Sequence, residues 1–488
     1  MKSILTITII VVATIFFSCS KKQDNNVQPA LGAISISGTH EADTIKGVLS
    51  AQIAVSGSVQ PTKIEVYAND SLLTTVTKVP YNVQWNTFGV NNGNYKLKAI
   101  AYDNSGKQTQ TTLNVVVHNV LVTLLIDPHI NSIYSSVMYI VTDSAGTVLN
   151  SIKYNGTDKY IYVTTTHPDP KSRCSVFEVK NYSLVGQTYI TAYMNIPKGS
   201  VWNLRGVTEN LDPKISNAKI NLANIPSFSR LTTSSDLYGF TYTNTADIRN
   251  VTNFLFSRTG KQYVQYIDNS GNGHYHFYDV DTVNKNNVID LAANIFQSSI
   301  TKTITANGAT SISVYLNGKS DKSYDDYYLL DSYSVNGPGL SYYYPDGTYI
   351  TNYTSLVSFT QNGWNYSNVY LDLPPETIAP FGTIATITSS SLSQFSFTTQ
   401  GTLDYYSANF YSASNNAQLS IYSPSAYKSI QFPDILKLTN LSGAPLSNFK
   451  LTAFSMYKTP GFDESKLFYY TNEYPGIVMP SQSATIRF

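Results

Sequence analysis

The sequence predicts an all-β protein built from tandem β-sandwich domains. Tyrosine is abundant, with 39 residues against 3 tryptophans in 488, and it favours pleated surfaces together with the plentiful Thr, Val and Ile. Charged residues make up 13% of the chain and the formal net charge is +1, so there is no basic surface for nucleic acid. Short runs of alternating apolar and polar residues, separated by turn pairs, recur along the chain.

The first 18 residues predict a secretory signal peptide. Lys2 supplies a positive start, and Ile4–Phe17 is an apolar run too short to cross a bilayer as a stable helix. Ser18 then precedes Cys19, which resembles the lipobox of bacterial lipoproteins, where the peptide is cut before a cysteine that becomes lipidated. The resemblance implies that Cys19 is the first mature residue and carries acyl chains such as palmitate. An ordinary signal peptide with an incidental cysteine is the alternative.

Residues 19-30 predict a disordered tether, because a polar run from Ser20 to Asn26 cannot bury enough surface to fold. The run from Ser20 to Asp24 resembles the charged segment after the lipidated cysteine in surface-exposed lipoproteins of Bacteroidetes-type bacteria. Each buried methylene of an acyl chain contributes roughly 0.8 kcal/mol of membrane affinity. The resemblance therefore implies an outer-membrane protein, held by its lipid anchor and exposed at the cell surface.

Residues 31-119 predict the first β-sandwich. From Tyr95 to Ala101 apolar side chains alternate with polar ones, and the turn Asp103–Gly106 follows. About seven short strands in about ninety residues are typical of a β-sandwich. The resemblance to bacterial Ig-like domains rests on the order and spacing of Ile64–Tyr67, Leu72-Leu73, Pro80-Tyr81, Trp85–Thr87, Asn92-Gly93 and Ala99–Asp103.

Such Ig-like domains occur as modules of cell-surface proteins and secreted glycoside hydrolases. The resemblance implies a spacer or adhesive module, used here as a stalk, and it implies no catalytic residues. Trp85 and Tyr95 are predicted to lie in the core of this module.

The remaining chain predicts further strands, with a second β-sandwich at 120-215 and a β-rich distal region at 216-488 that holds one or two domains. The best short helical candidate is Leu291–Gln297. Cysteine occurs at two positions, so lipidation of Cys19 would leave Cys174 without a disulfide partner. Cys174 stands in a strand-like run and is predicted to be a buried free thiol.

A histidine pair suggests a metal site. His274 and His276 project from one face of a predicted strand, with Asp279 and Asp281 close behind. Because spacing fixes no third ligand, two histidines on a solvated hairpin are the plainer interpretation, and no cofactor is predicted. A loose Ca²⁺ site around the acidic residues is the alternative, although the order of an EF-hand loop is not met.

Aromatic density is the most suggestive functional feature. Tyrosine and tryptophan side chains at turns and strand ends could stack on sugar faces while neighbouring polar groups bind the hydroxyls. The predicted glycan-binding residues are Tyr343, Tyr344, Tyr349, Trp364 and Tyr366. The alternative is that tyrosine simply fills cores in a β-protein of low charge.

These observations predict a lipid-anchored cell-surface binding or adhesion protein, with a polysaccharide or another surface protein as its partner. The first alternative is a secreted-type carbohydrate-active hydrolase, because paired carboxylates assemble across a fold rather than in sequence. Its nearest candidates are Asp325, Asp326, Asp331, Asp372 and Glu376. The second alternative is a structural or assembly lipoprotein of the outer membrane. The sequence has no nucleophile elbow, zinc-protease helix or phosphate loop, so a binding protein is favoured over an enzyme.

Overall fold

The structure is a computed structural model that describes residues 31–126, 134–165, 168–182, 184–204, 216–236, 239–243, 251–256, 260–281, 286–292, 295–320, 328–471 and 480–488. The predicted signal peptide 1-18, the tether 19-30 with Cys19, and the border at 215/216 lie outside the described residues. The described chain forms two compact units. One holds residues up to 43 with 49–85 and 94–116, and the other holds 44–48, 86–93 and 117–488. Among the described helices, none is long and apolar enough to span a membrane.

The N-terminal strands form the predicted Ig-like sandwich. In chain order the strands are β1 (Leu31–Ser37), β2 (Thr44–Ile45), which belongs to the other unit, β3 (Val48–Gly57), β4 (Lys63–Ala68), β5 (Ser71–Val76), β6 (Tyr81–Asn86), β7 (Gly93–Tyr102) and β8 (Gln108–Val117). One sheet has the order β1-β3-β6, and the order β8-β7-β4-β5 runs through the other. The apolar residues of alternating strand positions meet between the sheets as Ile34, Ile53, Ile64, Val66, Tyr81, Val83, Ala99 and Ala101. Trp85 is buried and its ring meets the half-buried Tyr95 edge-on at 5.4 Å, which confirms the prediction for Trp85.

The second unit is also built from strands, in agreement with the predicted all-β class. Its strands are β9 (Val122–Ile126), β10 (Ser136–Thr142), β11 (Val148–Lys153), β12 (Tyr160–Val163), β13 (Arg173–Tyr182), β14 (Gln187–Pro197), β15 (Ser200–Leu204), β16 (Ser216–Ala223), β17 (Arg230–Ser234), β18 (Gly239–Thr243), β19 (Val251–Phe256), β20 (Lys261–Ile267), β21 (Gly273–Asp279), β22 (Asn286–Asp290), β23 (Gln297–Ser298), β24 (Ile300–Thr305), β25 (Ser311–Lys319), β26 (Tyr328–Asn336), β27 (Gly339–Tyr344), β28 (Asn352–Gln361), β29 (Trp364–Tyr370), β30 (Ile384–Ser389), β31 (Phe395–Gln400), β32 (Tyr405–Ser412), β33 (Ala417–Pro424), β34 (Ser429–Ile430), β35 (Lys450–Lys458) and β36 (Ser481–Arg487).

One described α-helix, α1 (Leu467–Thr471), follows β35. The predicted helix at 291–297 is wrong in the part that the structure describes: Leu291-Ala292 is a turn, and Gln297 begins the short strand β23. That strand pairs with β21, so sheet hydrogen bonds replace the helical ones.

Twelve strands form a single sheet, here called the long sheet, with the order β11-β10-β13-β14-β33-β32-β35-β36-β29-β28-β25-β26. Its pairing joins distant parts of the chain, because β14 lies parallel to β33. The long sheet therefore carries strands from both predicted segments, 120-215 and 216-488. The domain borders themselves stay predictions.

The long sheet is covered on both faces over its first strands. On one face Phe177 and Val179 of β13 belong to a cluster with Ile190 and Phe454, and on the other Val176 packs in a separate cluster. This double coverage explains why β13 is buried continuously from Cys174 to Val179 instead of in alternation. Cys174 is buried and free, as predicted.

On the last five strands of the long sheet, β36, β29, β28, β25 and β26, one face is covered, and the other face is open except at Tyr328–Asp331 of β26, which is buried continuously. Ile312, Val314 and Leu316 of β25 are buried in the core of that covered face. Ser313 and Tyr315 lie between them and point the other way, since successive side chains of a strand alternate. We call the side on which they lie the open face.

Candidate functional site

The open face carries a row of serines. Strand register places Ser334, Ser313, Ser358, Ser367 and Ser483 side by side on five neighbouring strands. Because neighbouring strands lie about 4.8 Å apart, the row is about 19 Å long. The sheet thus presents hydroxyl groups at a regular spacing.

An adjacent row adds apolar surface. Register aligns Ser332, Tyr315 and Leu356, in that order, on β26, β25 and β28. Tyr315 is 43% exposed and Leu356 is 38% exposed, although their strand neighbours on the covered face are buried. A ring and an aliphatic side chain therefore lie beside the serine row.

The parts of these rows on β26, β25 and β28 line a groove of about 640 Å³, while Ser367 and Ser483 continue the serine row beyond its lining. Thr241 of β18 stands at one side of it, so the short sheet that contains β18 contributes a wall. The lining residues are Thr241, Ser313, Val314, Tyr315, Ser332, Tyr333, Ser334, Leu356 and Ser358. The described residues that line the groove carry no charged side chain, so its chemistry is that of hydroxyl groups, backbone and two exposed apolar side chains.

Hydrogen bonds within the open face orient several of its hydroxyls. The Oγ atoms of Ser358 and Ser367 lie 2.9 Å apart, and Ser313 Oγ donates to the carbonyl oxygen of Ser358 at 3.3 Å. A serine hydroxyl has one donor and two acceptor positions, so each of these bonds uses one of the three positions of an Oγ. The surface can accept hydrogen bonds from a ligand that is itself rich in hydroxyls.

A buried ion pair lies under the edge of the groove. Arg230 Nη2 donates to Asp331 Oδ2 at 2.9 Å, and both side chains are buried. The guanidinium lies over the rings of Tyr333, at 4.1 Å, and Tyr343, at 5.1 Å. Burial raises the pKa of Asp331 to about 6, against the opposing charge of Arg230. The pair fixes Tyr333, which lines the groove.

The structure places two of the predicted glycan-binding tyrosines in the core. Tyr343 is buried and its hydroxyl donates to the carbonyl oxygen of Gly271 at 3.0 Å. Tyr344 is buried too, with its ring edge-on to Tyr353 at 5.6 Å. Both rings are part of β27, which pairs with β24 and packs against other strands. Because both rings are buried, they are not available to stack on a sugar, and the prediction that Tyr343 and Tyr344 bind a glycan is corrected.

The other three predicted rings are half-buried and are not gathered at one place. Tyr349 packs on Phe277 with ring centroids 4.5 Å apart. Trp364 and Tyr366 project to the covered face of the long sheet, where both contact the apolar core. These rings pack against the interior, in agreement with the alternative prediction that tyrosine fills the core of this β-protein.

The histidine pair lies on β21 as predicted, but its side chains have protein partners. His274 Nε2 lies 3.4 Å from Asp268 Oδ2, and its ring stacks on Tyr266 at 4.7 Å. His276 meets the ring of Tyr278 at 4.6 Å, and burial lowers its pKa. Asp279, by contrast, pairs with Lys261 at 2.6 Å. The described residues hold no group of three or more potential metal ligands, and Asp281 is not joined to the histidines in one.

The described carboxylates suggested for hydrolysis lie in two kinds of surroundings. Asp331 is buried and paired with Arg230, while Asp372 and Glu376 are exposed. Asp325 and Asp326 lie outside the described residues.

Sequence reasoning missed the open face. Its signal is the period of two in β25, β28 and β36, where serine or threonine alternates with apolar residues. The alternation shows that one face is solvated, but it does not show that the three strands share a sheet.

Comparison with known proteins identifies the N-terminal module. Residues 33–99 match the family model described as Bacterial Ig domain, which confirms the Ig-like prediction for this part of the chain. A search of curated proteins found no match.

Among solved structures, the fibronectin(III)-like modules of Clostridium thermocellum CbhA are 23% identical, covering 17% of this chain and 93% of theirs, with a TM-score of 0.16. SGBP-B of the Bacteroides ovatus mixed-linkage glucan utilization locus, solved with a mixed-linkage heptasaccharide, is 13% identical, covering 64% and 89%, with a TM-score of 0.16. A Ca²⁺-stabilized adhesin that helps an Antarctic bacterium bind ice is 10% identical, covering 72% and 100%, with a TM-score of 0.15. At these scores the likeness carries no argument about what this chain binds.

Proposed function

We propose that this chain is a cell-surface binding protein whose groove takes a neutral polysaccharide. The observation that carries the proposal is the groove itself, where a row of serine hydroxyls lies beside Tyr315 and Leu356 without a charged side chain. Hydroxyl groups both donate and accept, and so do the hydroxyls of a sugar chain. An anionic polymer would lose its hydration there and gain no opposite charge, so it is disfavoured.

Two kinds of group would contact the polysaccharide, namely hydroxyl groups and apolar side-chain surface. The serine row would exchange hydrogen bonds with sugar hydroxyls along the length of the groove. The exposed faces of Tyr315 and Leu356 would contact the apolar C–H groups of a sugar ring and exclude water from them. A few polar groups next to an apolar contact are the usual composition of such sites.

We also propose that Cys19 carries the lipid that holds the chain at the outer membrane, and that the Ig-like residues act as a stalk. The support is the resemblance of residues 1-24 to surface lipoproteins, together with the family match at 33–99. Mass spectrometry of the native N-terminus is expected to find an acylated Cys19. Release of the Cys19→Ala variant from membranes would agree, and an unmodified N-terminus would refute the anchor.

Native gels that contain polysaccharide test the groove. We expect the full chain, purified in mild detergent, to be retarded by hydroxyethylcellulose or galactomannan and not by anionic polygalacturonate. Replacing Tyr315 and Leu356 together with alanine removes the apolar contact and is expected to weaken binding by roughly five- to tenfold. Leu438→Ala is the matched control, because Leu438 is also 38% exposed but lies in a 3₁₀ turn away from the groove. Equal retardation of the double variant and the wild-type chain would refute the groove.

A further inference from the structure

A second exposed aromatic surface lies on a different sheet of the same unit. Strands β12, β9 and β15 form a three-stranded sheet in that order. Tyr160 and Tyr162 of β12 are 48% and 57% exposed. Their ring planes differ by 9° and their centroids lie 6.4 Å apart. Two nearly parallel rings thus stand in line along one strand.

The two rings lie on the exposed face of this sheet, because the residues of its other face are buried in the core. Ile161 and Val163 alternate with the two tyrosines and are buried with Leu124 in an apolar cluster. Register sets Leu125 beside Tyr160, and Thr123 between Tyr162 and Val201. Val201 is 54% exposed, so the outer face carries two rings, two aliphatic side chains and one hydroxyl. We call this set the tyrosine platform.

We propose that the tyrosine platform is a second carbohydrate-contact site, which binds the ring faces of an extended chain of pyranose units. This inference deepens the proposed function, which is binding of a neutral polysaccharide, and rests on it. The size of the platform decides between a sugar and a protein. A tyrosine side chain can bury about 150–250 Å² of surface. Because each of the two rings is about half exposed, together they offer roughly 200 Å² for contact. A stable protein interface needs about 800 Å² on each partner.

The orientation of the hydroxyl groups on a pyranose ring decides which polysaccharides the tyrosine platform can bind. A pyranose with all its hydroxyls equatorial presents only C–H groups on its two faces, and those faces match the flat, apolar side of a tyrosine ring. An axial hydroxyl on the ring face would lose its hydrogen bonds to water against the platform. Two parallel rings in line suit two units of one chain. The expected ligand is therefore a glucan with equatorial hydroxyls, in preference to a mannan.

The test uses the same native gels with the full chain. Tyr160→Ala with Tyr162→Ala is expected to lower the affinity for hydroxyethylcellulose roughly tenfold, and the affinity for galactomannan by less. Replacing both residues with phenylalanine keeps the rings and is expected to keep the affinity within about twofold. Tyr411→Ala is the control, because Tyr411 is 38% exposed on a strand of the long sheet. The thermal unfolding temperature of all three variants should match the wild-type value.

The outcomes separate this inference from the groove. If the platform variant binds like the wild-type chain while the groove variant does not, the platform is refuted and the proposed function stands. If the platform variant loses binding and the groove variant does not, the platform stands alone as the site. No retardation of the wild-type chain by either polymer would overturn both. Loss of a dimer in sedimentation with the alanine pair, without loss of glucan binding, would assign the platform to self-association and refute the inference.

Discussion

Removing Arg230 tests how the buried ion pair with Asp331 contributes to folding stability. In Arg230→Met the carboxylate of Asp331 stays buried but loses the guanidinium that lies 2.9 Å away. Breaking a buried pair on one side costs about 3–5 kcal/mol of folding free energy, because the remaining charge has no compensation. The rings of Tyr333 and Tyr343 also lose the cation that lies over them.

The cost of Arg230→Met is expected to depend on pH. Burial raises the pKa of Asp331 to about 6, above its value in the unfolded chain, so the folded protein favours the protonated acid. The stability that protonated Asp331 provides is therefore present at low pH and is lost as pH rises from about 4 toward 6. Arg230 opposes this rise, so its removal raises the pKa of Asp331 further. The pH range over which stability is lost then extends above 6. The variant should continue to lose stability through neutral pH, where the wild-type protein no longer does.

Urea unfolding of the full chain, followed by circular dichroism at pH 5.0 and 7.5, measures both quantities. Arg230→Met is expected to lose about 3–5 kcal/mol of folding free energy at pH 7.5. At pH 5.0 Asp331 is largely protonated, so the loss is expected to be roughly half of that. Lys437→Met is the control, since it removes an exposed pair with Asp434 that is worth under about 1 kcal/mol. Equal losses at the two pH values, or a loss no larger than that of the control, would refute this account of the pair.

Three further predictions concern the core. Trp202→Ala is expected to cost about 3–5 kcal/mol and to lower the urea midpoint, because the buried ring packs on Tyr193 and Phe468 at 4.9 and 5.4 Å. Burial raises the pKa of Cys174 to about 12, so a thiol reagent at pH 8 should react with it after unfolding and not before. Gly273→Ala should cost about 1–3 kcal/mol, because its Cβ would lie 2.6 Å from Cδ1 of Tyr343. Gly382→Ala, with open space at its Cβ, should be neutral in the same unfolding assay. A Trp202 loss below 1 kcal/mol, rapid labelling of native Cys174, or equal stability of the two alanine variants would each contradict the packing described.

The local sequence pattern was sufficient to predict the fold of the Ig-like module. Alternation in β7 and the turn pairs between its neighbours follow from backbone geometry over a few residues, and the buried set at Ile64, Val66 and Ala99 agrees with them. The lipid anchor and the surface location stay predictions, because residues 1-30 lie outside the described part of the chain.

The tyrosines show where local pattern fails. Tyrosine has an apolar ring and a polar tip, so the same residue type suits a core, as at Tyr343, and a solvated sheet, as at Tyr162. What separates them is whether another sheet covers that face, and the sequence around each residue does not contain that information.

The sequence by itself determined the strand content, the low charge of the chain and the family of the first module, because these depend on composition and on neighbours within a few positions. The tertiary structure decided which strands share the long sheet, as when β14 pairs with β33 and β36 inserts between β29 and β35. Hydrogen bonds between strands are made by the backbone, which is the same for every residue, so distant pairing leaves little trace in the local pattern. The open face, the groove and the tyrosine platform all follow from that pairing.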